Sequence, residues 1–138
     1  MDIIALAFWF FLIAALIIIS CAGGREERLF SLAILVAVSA TFFTNVVLGF
    51  SDAQMIILLI DSGLLAFTLF VAISSSKHWP IWFAGFHLIG VASSIAYAAF
   101  PANIPGIYID MSGFWSLPAL GAAAIGVLLD RRVRGQNR

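Results

Sequence analysis

Two ionisable side chains stand inside apolar stretches long enough to cross a bilayer: Asp61 in MIILLIDSGLLAFTLFVAI (55–73), and His87 in the stretch that follows Pro80. A buried acid and a buried imidazole are groups that take up, hold and release protons, and inside a membrane such residues mark ion or proton pathways. An Asp at the centre of a spanning helix costs about 2.5–3.5 kcal/mol of insertion free energy, so something must offset it. No Lys or Arg lies within the spans, which excludes a salt bridge. The polar residues at matching depth are Thr41, Thr44 and Asn45 before it, and Ser93, Ser94 and Ser112 after it. That match predicts a polar layer in which hydroxyls and an amide hydrogen-bond the Asp61 carboxyl.

His87 shares a helical face with Gly90, Ser94 and Ala98, a stripe of small residues that allows close helix contact. Asp61, Leu65, Thr68 and Ala72 share another face, with Thr68 near the depth of His87. The two stripes are expected to meet as a hairpin. Counting helical rise places Asp61 and His87 about 10 Å apart along the membrane normal, too far to touch directly. Two readings follow for Asp61, Asn45, Thr41, Ser94, His87 and Thr68. They are polar glue between helices, or they form a proton or ion pathway. Haem ligation by His87 would need a second buried His, and His78 lies at the interface, so no cofactor is expected.

The elements that must position these groups follow from composition. The chain has 138 residues, 63% of them hydrophobic and 10% charged. A soluble domain of this size could not cover so much apolar surface, which makes the chain an integral membrane protein forming a single domain. The pattern predicts an all-α polytopic bundle of five helices, at about 3–22, 29–50, 55–73, 80–100 and 107–129. Gly23-Gly24 ends the first, and the polar turns REER, SDAQ and SSSKH separate the next ones. Pro80 suits a first turn and Pro101 a stop. Residues 130–138 read as a short basic tail, and Pro118 as a bend inside the fifth helix.

Charge orients the bundle. Five crossings gather Arg25, Arg28, Lys77, Arg131, Arg132, Arg134 and Arg138, all seven basic residues, on one side. The positive-inside rule makes that side cytoplasmic and puts the N-terminus outside. Lys77, His78, Trp79 and Trp82 then read as interface anchors of the fourth helix. A signal peptide cleaved at a lipobox-like IISC (18–21), leaving Cys21 to be lipidated, is disfavoured, because the first segment has Asp2 and no basic residue at its start. The aromatic run FWFFLIAAL reads as facing lipid or a partner, and the small residues of ALGAAAIG as a packing face within the chain or towards a partner.

A lone cysteine forms no internal disulfide, and zero net charge gives no sign of nucleic-acid binding. No metal-ligand cluster is visible, nor GxSxG, HExxH or a P-loop, so an enzyme is not expected. KHWPIWFAGFHLIGVASS, with GFWSLPAL later, resembles a group of small uncharacterised bacterial inner-membrane proteins over about the C-terminal half. The resemblance implies placement in a bacterial inner membrane and brings no activity with it. The leading expectation is an accessory or assembly subunit, partnered by the bilayer and by other membrane subunits or further copies of itself. The alternative is a small transporter or ion- or proton-conducting oligomer using Asp61 and His87.

Overall fold

The computed structural model of the chain describes residues 3–100 and 114–136. They form five helices: α1 Ile3–Ala22, α2 Arg25–Leu48, α3 Phe50–Ser74, α4 Trp79–Ala99 and α5 Ser116–Gln136. No strand occurs among the described residues. Three of the helices, α2, α3 and α4, are long and apolar enough to cross a membrane, and α1 carries the apolar run Phe8–Ala22. Each helix packs on its neighbour in the chain, and α5 closes the ring by packing on both α4 and α1.

The boundaries differ from the sequence reading where glycine and capping chemistry decide. α2 begins at Arg25, inside the expected turn, because the Glu27 carboxylate accepts the Gly24 N–H at 2.7 Å. Acids in a first turn also suit the positive end of the helix dipole. α2 and α3 are joined by Gly49 alone, at φ 76°, a conformation other residues adopt at a cost. One residue reverses the chain, so SDAQ is the first turn of α3 and not a loop. The expected start of the fifth helix near 107 and Ser112 lie outside the described residues. α5 runs on to Gln136, so most of the expected basic tail is helical. Pro118 lies in the first turn of α5, where its missing N–H removes no helical bond and imposes no bend.

The core fills the end of the bundle where α1 meets α2 and α3 meets α4. Leu12, Ala15 and Ile19 of α1 face Phe30 and Ile34 of α2, Trp79 and Phe83 of α4, and Ala119, Ala123 and Val127 of α5. Phe30 is its hub: its ring meets Trp79 edge-on at 4.7 Å and Phe83 at 4.9 Å, and stacks on Phe67 at 6.4 Å. Gly126 lets α5 close on this hub, since a Cβ there would lie 2.1 Å from the Trp79 Cβ. The small residues of ALGAAAIG are therefore consumed inside the chain. α1 divides its aromatic run: Phe10 is 76% exposed and Phe11 outward-facing, while Leu12 is buried.

Candidate functional site

Beyond the Phe30 hub the five helices part around a cavity of about 410 Å3. α1 contributes Phe8 and Trp9, α2 Thr41, Phe42 and Asn45, α3 Gln54 and Asp61, α4 Phe83 and His87, and α5 Ser116. The helical repeat explains the selection. On α2, Ile34, Ala37, Val38, Thr41, Phe42 and Asn45 recur at three- and four-residue spacing along one face, and Gln54, Ile57, Asp61 and Leu64 do the same on α3. The lining reaches Asn45 and Gln54, each about one helical turn from Gly49, so the cavity extends towards the Gly49 end of the bundle.

The structure places Asp61, Asn45, Thr41 and His87 on one cavity wall system and leaves Ser94 and Thr68 off it. Thr68 is fully buried and donates to the Leu64 carbonyl of its own helix at 2.7 Å. Ser94 donates to Gly90 O at 3.2 Å, Ser93 to Ile89 O at 2.8 Å, and Thr44 to Ala40 O at 2.7 Å. The Asn45 amide donates to Thr41 O at 3.0 Å. A carbonyl only accepts, so that atom is Nδ2, and Asn45 Oδ1 is left buried with no hydrogen-bond partner. The expected layer of hydroxyls and amide bonded to the Asp61 carboxyl is therefore absent among the described residues. These side chains bond back to their own helices instead, a local option open to Ser, Thr and Asn.

Among the described residues around the cavity, one bond does cross between helices. His87 Nε2 lies 3.0 Å from the backbone oxygen of Asp61. The oxygen accepts, so Nε2 carries the hydrogen of this bond. The expected 10 Å gap is corrected by two features. α3 starts at Phe50, which sets Asp61 about 16 Å along the helix instead of 9 Å, and a helical carbonyl points to the C-terminal end, from which α4 rises. The imidazole then meets the main chain of Asp61 directly, tilted against Phe83 at 5.7 Å.

At the other end of the bundle, Lys77 Nζ donates to Glu26 Oε2 at 2.9 Å and also to the wholly buried Glu27. The pair ties the α1–α2 turn to the α3–α4 turn, and Ser20 and Ser31 bridge α1 and α2 at 2.8 Å. Burial pulls the Lys77 ammonium down, but hydrogen bonds and attraction to Glu27 and Glu26 outweigh it and raise it above the usual lysine value. The anchor set is thereby corrected. Trp79 is 3% exposed and belongs to the core, and Lys77 is held in an ion cluster. Trp82, 65% exposed, and His78, exposed, remain at the surface.

Sequence reasoning missed Gln54, Ser116 and the rings of Phe8, Trp9, Phe42 and Phe83. Gln54 falls in the expected turn SDAQ, Phe8 and Trp9 in the run expected to face lipid or a partner, and Phe42 and Phe83 carry no expectation. The signal that finds Gln54 is its three- and seven-residue spacing to Ile57 and Asp61 once Gly49 is taken as the reversal point. No metal-binding group of three or more His, Cys, Asp or Glu occurs among the described residues. No family model, curated protein or solved structure matches the chain.

Proposed function

We propose that this chain is a small multi-pass protein of a bacterial inner membrane, and that it binds and moves protons or a small cation through a site built on Asp61 and His87. One observation carries this reading over the accessory role. Polar glue would pair side chains across helices, as Ser20 and Ser31 do at the far end, yet near the site Thr44, Ser93, Ser94 and Thr68 bond to their own backbones. Asp61, Asn45, Thr41 and His87 instead face a shared cavity into which all five helices project. The clustering of basic residues at the opposite end supports a cytoplasmic position for that end.

The accessory or assembly reading retains one observation of its own. On the outer surface of α3 and α4, Gly63 and Gly85 have open space where a Cβ would stand. Leu69, Ala72, Ile73, Ile81 and Leu88 line a shallow apolar recess beside Gly85, which suits a helix of another subunit or of a second copy.

Reconstitution separates the two. Purified protein in liposomes, with an imposed voltage and a trapped pH dye, is expected to carry a proton flux that Asp61→Asn abolishes while thermal unfolding is unchanged. No flux in the wild type, with Asp61→Asn altering only stability, would leave the accessory role standing.

A further inference from the structure

The cavity wall is unbalanced in charge and rich in aromatic rings. Among the described residues that line it, Asp61 is the one carboxylic acid and there is no Lys or Arg. Among its polar groups the Asp61 carboxyl and the partnerless Oδ1 of Asn45 offer acceptors, the Thr41 hydroxyl and the Gln54 amide both donate and accept, and His87 Nε2 is already donated. The N-terminal turn of α5 meets the cavity at Ser116, but a helix end amounts to only about half a positive charge, less than the full charge that Asp61 carries when ionised. The rest of the described wall is apolar. Trp9 meets Phe42 edge-on at 5.9 Å and Phe8 at 6.0 Å, and Phe83 lines the cavity from α4.

A bare divalent metal ion does not fit this arrangement. It would need six or so oxygens closing around a small volume, whereas the oxygens here are few and spread over separate helices. A volume of 410 Å3 falls within the roughly 300–1,000 Å3 of pockets that hold small organic molecules. An apolar body suits the rings, a delocalised positive charge suits both the carboxylate and the aromatic faces, and an anion meets no cationic side chain.

Resting on the intramembrane-site reading above, we propose that the cavity is a binding site for a small hydrophobic organic cation, with Asp61 as its counter-ion and Trp9, Phe42 and Phe83 as its aromatic contacts.

The probe is tetraphenylphosphonium, set against tetraphenylborate, an anion of the same shape. Equilibrium dialysis of the full chain in detergent is expected to show saturable binding of the cation and none of the anion. Asp61→Asn is expected to weaken the cation on the order of tenfold, and Trp9→Leu to weaken it while leaving Asp61 in place. Comparable binding of cation and anion by the wild type would mean that the cavity takes any apolar solute, and would overturn the proposal even if Asp61→Asn failed to fold. No binding of the cation overturns it as well. Should an Asp61-dependent proton flux persist in liposomes in that case, the intramembrane-site reading survives and only the cation assignment falls. Loss of both ends both.

Discussion

His87 Nε2 lies 3.0 Å from the main-chain oxygen of Asp61, so the imidazole is bound to the backbone of the residue whose carboxylate faces the cavity. This bond fixes the ring and joins α3 to α4 at the depth of the site. Interhelical bonds of this kind in membranes are worth about 0.6–2 kcal/mol. His87→Phe, which keeps the ring contact with Phe83 but loses the donor, is expected to lower stability by that amount. His87→Gln, which can still donate, is expected to recover part of it. Thermal unfolding in a single detergent checks this, and equal melting of wild type and His87→Phe would remove the bond from the stability of the hairpin.

A second expectation concerns the ion cluster at the opposite end. Lys77 is raised above its ordinary value by Glu27 and Glu26. A raised lysine contributes stability that is complete below the unfolded value of about 10.4 and is lost as pH climbs through the higher folded value. The wild type should therefore melt at a constant temperature across neutral and mildly alkaline pH and fall only above about pH 10. Lys77→Met leaves the buried Glu27 carboxylate without its cation and is expected to cost about 1–3 kcal/mol, less than a fully buried pair because Lys77 keeps some contact with water. Its stability should lack the alkaline loss that the wild type shows.

The five helices were legible because each apolar run is bounded by Gly, Pro or charge, signals that act locally. The cavity was not. It depends on where each helix begins, and a single residue sets that for α3: with Gly49 as the reversal point, Gln54 and Asp61 move inward and onto one face. Asp61, Asn45, Thr41 and His87 could be named because a polar group in an apolar run stands out by type. Phe8, Trp9, Phe42 and Phe83 could not, since an aromatic ring facing a cavity, a lipid or a core looks the same in sequence. Trp79 shows the reverse error. Beside Lys77 it has the composition of an interface anchor, yet the absence of a side chain at Gly126 draws it into the core.

Glycines at two exposed-looking places in the sequence should respond oppositely. Gly126→Ala places a methyl 2.1 Å from the Trp79 Cβ, with the Trp79 backbone behind it, so α5 must shift away from α4. Overpacking of this sort costs about 1–3 kcal/mol. Gly85→Ala meets nothing within 4 Å and removes a flexible residue from the interior of α4. It is expected to be neutral or to stabilise by about 0.5–1 kcal/mol. Melting of both variants in the same detergent is the measurement, and a loss at Gly85 equal to that at Gly126 would show that something covers Gly85, which favours the accessory reading.

The last expectation is the orientation of the bundle. Lys77 is bonded to Glu26, which puts the α1–α2 and α3–α4 turns at one end, and Gly126 against Trp79 brings the last turns of α5 there too. Arg25, Arg28, Lys77, Arg131 and Arg132 therefore share that end, while Gly49 and Asp52 lie at the other. If basic residues follow the positive-inside rule, the shared end is cytoplasmic. In a Cys21→Ser background, a cysteine introduced by Asp52→Cys should react with a membrane-impermeant maleimide on intact bacteria. One introduced by Ser76→Cys, next to Lys77, should react only after the cells are opened. Labelling of Ser76→Cys on intact cells would place the ion cluster outside and turn the Asp61 cavity towards the cytoplasm, reversing the direction in which any cation reaches it.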